Sequence, residues 1–289
     1  MQEAAPRRSK AWKYSISEVT TYDCSFEEDV ELYAKGGCAG IGVWGFKMER
    51  VGHARASELL QRYGLRAANC IPELNSIMPY ALSPTPEDPA QRVEAFLPNM
   101  ERMAKLNPET IVVITGPRGE HSLQEATDLC LAGFERIGKV ANDLGVTVAL
   151  EPVHKSAVDD LSFIWDLPGA LSMLKQINHP NFKILFDTWH LWDTENVFQL
   201  LKDDIDLIGG VHVSDWRAET RTWMDRAFPG EGASSVFKLV SALDKAGYDG
   251  LYDIEIFSDN GQFQVAFPDS LWKLAPAEIV DRATRIFRG

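Results

Sequence analysis

Four short strand-like runs in the second half of the chain each end on a side chain that can bind a metal ion. Val148, Ala149 and Leu150 lead into Glu151, and Ile184, Leu185 and Phe186 into Asp187. Gly210 and Val211 precede His212, and Asp253 and Ile254 precede Glu255. Taken singly, an acid or a histidine at a strand end is usually a cap, a hydrogen-bonding group or a solvated one. Four of them at the same end of four consecutive strands are a different matter. Three carboxylates and one imidazole make an oxygen-rich site suited to a single divalent cation with positions left open for water or substrate. Mn²⁺, Mg²⁺, Co²⁺ and Zn²⁺ all suit such a set, and the ligand types do not choose among them. Without a cation, three carboxylates gathered in a partly buried mouth would repel one another and take up protons, at a cost on the order of several kcal/mol.

The elements that must gather these residues are legible as an alternation of short apolar runs with longer helical segments. The strand candidates are 13–16, 40–44, 65–71, 110–115, 146–151, 183–187, 207–213 and 251–256. The helical segments are 26–35, 54–63, 88–106, 123–144, 168–176, 197–202, 234–245 and 275–287. Eight strand–helix units predict one (β/α)8 TIM barrel over residues 1–289, whose active site forms at the C-terminal ends of the strands. The ligand separations of 36, 25 and 43 residues match successive units. Gly36, Gly64, Gly145 and Gly247 follow the last periodic residue of a helix, where a left-handed stop is preferred. In 123–144, Leu129, Leu131, Phe134, Ile137, Val140 and Ala141 predict the face that lies on the sheet. The rival architecture, an open doubly wound dinucleotide fold, would carry a GxGxxG turn after the first strand, and none is there. The stretch 83–89 reads as a long loop after strand three.

Composition narrows the partners. The 289 residues include 29 Lys and Arg against 42 Asp and Glu, a formal charge of −13 that opposes binding to nucleic acid or anionic lipid. No apolar stretch is long enough to span a membrane, and the basic start lacks the apolar core of a targeting signal. Cys24, Cys38, Cys70 and Cys130 are dispersed, with no CxxC pair, and read as buried free thiols in a reducing compartment, which makes the cytoplasm the expected location.

The segments around Glu151 (AlaLeuGluProValHis), Asp187 (PheAspThrTrpHis), His212 (HisValSerAspTrpArg), Pro229 (ProGlyGluGly) and Glu255 together resemble the xylose isomerase-like sugar isomerases and epimerases, including ketose 3-epimerases and inosose isomerases. The resemblance implies one divalent metal held by Glu151, Asp187, His212 and Glu255, with Glu151 and Glu255 also acting as a catalytic acid/base pair. It implies substrate contacts from His190 and Arg217, a small-molecule sugar substrate, and a homo-oligomer as in many relatives. The residues themselves agree: a carbonyl on the cation acidifies the neighbouring C–H, one carboxylate removes that proton to give an enediolate, and the other returns one to the opposite face.

Trp44 and Trp189 follow strand ends and are candidate pocket walls, since sugar C–H faces stack on such rings. Arg221 rivals Arg217, Asp215 reads as a supporting carboxylate or a surface ion pair, His154 as a supporting partner or a loop histidine, and Glu231 as part of a turn. The leading reading is an isomerase or epimerase of a ketose, inosose or related keto-sugar. With a leaving group on the substrate, the same residues would make a lyase, dehydratase or keto-glycoside deglycosidase. An apurinic-site endonuclease-like phosphodiesterase would need a richer ligand set than six histidines supply, and a non-catalytic sugar-binding role would not require all the carboxylates.

Overall fold

Runs rich in Val, Ile and Leu that are buried on both faces favour parallel strands covered by helices. In the computed structural model, which describes residues 12–288, they form β1 (Tyr14–Ser17), β2 (Gly40–Gly42), β3 (Arg66–Ala67), β4 (Asn69–Cys70), β5 (Thr110–Val113), β6 (Val148–Leu150), β7 (Phe182–Asp187), β8 (Ile208–Val213) and, further on, β11 (Tyr252–Ile254). The basic start, residues 1–11, lies outside the described residues. The strand order is β3-β2-β1-β11-β8-β7-β6-β5-β4, and every pairing in it is parallel. Its two ends, β3 and β4, are halves of the single strand expected over 65–71. They are separated only by Ala68, so the sheet closes into a TIM barrel of eight positions.

The helices are α1 (Phe26–Lys35), α2 (Gly45–Val51), α3 (His53–Tyr63), α4 (Pro89–Ala104), α5 (Leu123–Leu144), α6 (Leu167–Ile177), α7 (Thr188–Leu191), α8 (Val197–Asp203), α9 (Val236–Ala246) and α10 (Pro276–Arg288). Ser25 with Glu28 and Ser122 with Glu125 form capping boxes that start α1 and α5. Gly64, Gly145 and Gly247 end their helices in the left-handed region, as expected. Gly36 does not. Its φ is −70°, and Gly37, at φ +78°, makes the turn instead. The small residue at 36 is needed for space, because a Cβ there would stand 2.6 Å from Val280. The buried face of α5 is also rotated from the expected one. Cys130, Gly133 and Gly138 join Phe134, Ile137 and Ala141, while Leu129, Leu131 and Val140 are only partly buried. Small residues win because α5 packs closely: a Cβ on Gly133 would lie 2.9 Å from Val93.

Two features of the mouth were not legible as elements. A two-stranded antiparallel ribbon, β9 (Asp215–Trp216) with β10 (Arg226–Ala227), folds back after β8 and pairs Arg226 with Trp216. The loop leaving β4 is held by buried Arg92, whose guanidinium donates to the Ser76, Ser83 and Pro86 carbonyls. All four cysteines are free thiols, three of them buried and Cys24 partly so. No helix among the described residues is long and apolar enough to cross a membrane.

Candidate metal centre and active site

Strand register sets the site. Asp187, the last residue of β7, pairs with His212 on β8, which in turn pairs with Asp253 on β11. Glu151 and Glu255 are the residues immediately after β6 and β11. One ligand atom from each of Glu151, Asp187, His212 and Glu255 lies within 4.8 Å of all the others, and all four side chains are buried. His212 Nδ1 faces this group, 3.4 Å from Glu151 Oε1 and 3.3 Å from Glu255 Oε2. Its Nε2 points the other way, 3.7 Å from Asp253 Oδ2. Asp253 is itself buried and accepts from Ser15 Oγ at 2.7 Å. A carboxylate behind the imidazole favours a proton on Nε2 and a free lone pair on Nδ1.

The charge balance fits a cation. Burial, with the Glu255 and Asp187 charges adding to it, pushes the Glu151 carboxyl up to about 7 despite the opposing pull of His212. Burial works against a charge on His212, but Glu255 and Glu151 outweigh it and hold the imidazole well above its usual range. Glu151 and His212 thus take up protons where positive charge is short, and a divalent ion would replace those protons.

Sequence reasoning missed Arg226. It is buried, and its Nη1 donates to Asp187 Oδ2 at 2.8 Å and to Glu255 Oε2 at 3.1 Å. Its guanidinium rests 5.2 Å from the Trp189 ring and 5.0 Å from Phe257. Arg217 is not brought here. It pairs with Asp225 at 2.9 Å and Asp269 at 3.1 Å, and Arg221 holds the same two acids. The ribbon explains the exchange, because it returns the chain across the mouth and delivers the second strand's Arg226 to the ligands. Asp253 carried a readable signal, since it stands two residues before Glu255 on a strand and shares its side.

His190 lines the cavity floor. Its Nδ1 accepts from the His154 backbone N–H at 2.8 Å, which assigns the ring proton to Nε2. Burial and the Arg226 charge hold its pKa well below the usual range, so the ring is neutral. His190 Nε2 and Arg226 Nη2 are 3.2 Å apart, and both carry protons. Two N–H donors side by side at a cavity floor make a seat for an oxygen atom.

The cavity is about 330 Å³, and its lining includes Glu151, Glu255, His190, Arg226 and Trp44. Trp44 is fixed by its N–H to Glu18 Oε2 and its Nε1 to Ser17 Oγ, each at 2.8 Å. Trp189 is not a wall. It is fully buried, packed on Trp216 with ring centres 4.6 Å apart, and supports Arg226 from behind. Asp215 accepts the backbone N–H groups of Gly230, Gly232 and Ser234 and so holds the ProGlyGluGly turn, while Glu231 pairs with Arg282. The His154 ring packs on Trp216 and stands 3.4 Å from Asp193.

Residues 30–286 match the family model described as xylose isomerase-like TIM barrel. The chain belongs to that family. A ketose 3-epimerase of Arthrobacter globiformis is 28% identical over 45% of this chain and 41% of its own length. An inosose isomerase of Halalkalibacterium halodurans is 26% identical over 57% of this chain and 59% of its own. An inosose dehydratase of Geobacillus thermodenitrificans is 24% identical over 47% and 49%. The matched segments thus span about half the length of these relatives, all of which are enzymes named for sugar substrates. Among solved structures, the IOLI protein with a bound zinc atom superposes with a TM-score of 0.77 over 94% of this chain and 95% of that one, at 20% identity, and shares the fold.

Proposed function

We propose that this protein is a divalent-metal-dependent isomerase or epimerase of a ketose, an inosose or a related keto-sugar. The observation that carries the reading is the convergence of four metal-ligand side chains within 4.8 Å, two of which, Glu151 and Glu255, line a cavity together with His190 and Arg226. Glu151, Asp187, His212 and Glu255 would hold the ion. When bound, it supplies a positive charge that polarises the substrate carbonyl and acidifies the adjacent C–H. Mn²⁺ is the expected ion, with Mg²⁺, Co²⁺ and Zn²⁺ as alternatives.

Glu151 and Glu255 divide the proton work. One removes the proton from the carbon beside the carbonyl, and the other returns a proton to the neighbouring position or the opposite face. As ligands of the ion both would be carboxylates, so the proton passes between them through substrate or water. The oxyanion that develops on the substrate is met by His190 Nε2–H and Arg226, donors already fixed in place before reaction. Because His190 is neutral, it donates a hydrogen bond without adding a second full charge beside Arg226. Trp44 offers a flat face to the sugar.

Replacing Glu151 or Glu255 by Gln is expected to lower exchange of the substrate's α-hydrogen with deuterated solvent by about 10²- to 10⁴-fold. Undiminished exchange in both variants rejects the pair. The dehydratase relative favours a second reading, in which a β-leaving group departs from the same enediolate. Product analysis separates the two, because loss of water or release of an aglycone cannot come from epimerisation.

A further inference from the structure

The cavity has an apolar side that proton transfer leaves unused. Six rings form a continuous surface along it: Trp223 packs on Phe257 with centres 5.2 Å apart, Phe257 on Trp44 at 5.8 Å and Trp44 on Phe46 at 5.8 Å. Phe46 continues to Tyr22 at 5.5 Å, and Tyr22 to Phe263 at 5.5 Å. All six line the cavity, and all but Phe257 are only partly buried. The surface begins where the polar floor ends, since Arg226 lies 5.0 Å from the Phe257 ring.

Its outer end is built, not accidental. Phe263 stands on a loop tied down by Asp259, whose carboxylate accepts the N–H groups of Gly261, Phe263, Val265 and Ala266. That clamp holds Gln264 and Ala266 at φ of +71° and +53°, a region unfavourable to both. A free ketose bears a hydroxyl on almost every carbon, and each buried hydroxyl needs a partner. Away from the floor, partners come from the stretch after β4, where Glu73, Asn75 and Tyr80 line the cavity. The ring side offers stacking area instead.

We propose that the substrate is a keto-glycoside, its sugar on the metal-ligand floor and a flat apolar aglycone against Phe46, Phe257, Phe263 and Trp223. This rests on the keto-sugar reading above and names the substrate class it left open. The probes are phenyl and methyl 3-keto-β-D-glucoside, with binding measured by calorimetry on the Mn²⁺-supplemented protein and solvent deuterium exchange followed on the same samples. The phenyl glycoside is expected to bind about tenfold more tightly than the methyl one. Phe263→Ala, and independently Phe46→Ala, should bring the two affinities together by weakening the phenyl glycoside alone. Equal affinities in the unaltered protein, or no binding of either glycoside, overturn the proposal. A preference for phenyl without exchange in either compound supports the ring surface and instead overturns the proton-transfer reading.

Discussion

Arg226 and Arg217 lie nine positions apart, yet they meet different fates. Arg226 donates to Asp187 and Glu255, while Arg217 is spent on Asp225 and Asp269. Arg226→Lys keeps the charge but loses the planar fork, and steady-state assays are expected to find turnover on a keto-sugar reduced by about 10²-fold or more. Arg217→Lys should stay within about threefold, because Arg221 still holds both acids and a partly exposed pair contributes little. Acid should weaken metal binding. With the Glu151 carboxyl near 7 and His212 held protonated above its usual range, the ion must displace protons that become scarcer as pH rises. A Mn²⁺ titration is expected to give an affinity at least about tenfold lower near pH 6 than near pH 8; a flat profile would mean these groups do not hold the ion. The ligand set was readable because each member closes a strand-like run, which is a local pattern. Arg226 was not, since nothing near residue 226 announces a ribbon whose partner strand starts at Asp215.

At the scale of elements, the turn after β1 and helices α1 and α2 are pinned by one buried cation. Lys47 Nζ donates to Asp29 Oδ2 at 2.6 Å, to the Glu18 carbonyl at 2.9 Å and to the Thr21 carbonyl at 3.0 Å. Glu18 in turn accepts the Trp44 N–H, so this ion cluster also positions a cavity wall. Burial raises the pKa of both Glu18 and Asp29. Lys47→Met would leave two buried acids without a cation, and denaturant unfolding is expected to show a loss of about 3–5 kcal/mol. A loss within about 0.5 kcal/mol would show that the acids are neutral without it. Strand and helix boundaries inside the barrel were largely visible as hydrophobic period. The split of strand three at Ala68 and the shifted face of α5 were not, because both answer to close approach between elements distant in the chain.

For the molecule as a whole, the proposed ion couples the site to stability. Four barrel strands, β6, β7, β8 and β11, carry or directly precede its ligands, so an ion bound only by the folded state must stabilise the barrel. At a hundredfold excess over its Kd it would contribute about 2.7 kcal/mol, and chelation should lower Tm by on the order of 5 °C. An unchanged melting curve in calorimetry, after chelator and with metal content verified, would count against an ion bound there.

Local pattern alone determined that eight strands alternate with helices, and that Glu151, Asp187, His212 and Glu255 stand at one end of four consecutive strands. Periodicity and chain direction suffice for that, because a parallel barrel puts every strand's C-terminal end on the same face. Only the tertiary structure decided which side chains join them. It turned Arg226 inward and Arg217 outward, buried Trp189 behind the guanidinium, set Asp253 against His212, and assembled rings from the segments after β1, β2 and β11 and before β10 into one wall. Those outcomes depend on strand register and on a fold-back ribbon, both of which are set by packing between residues far apart in sequence.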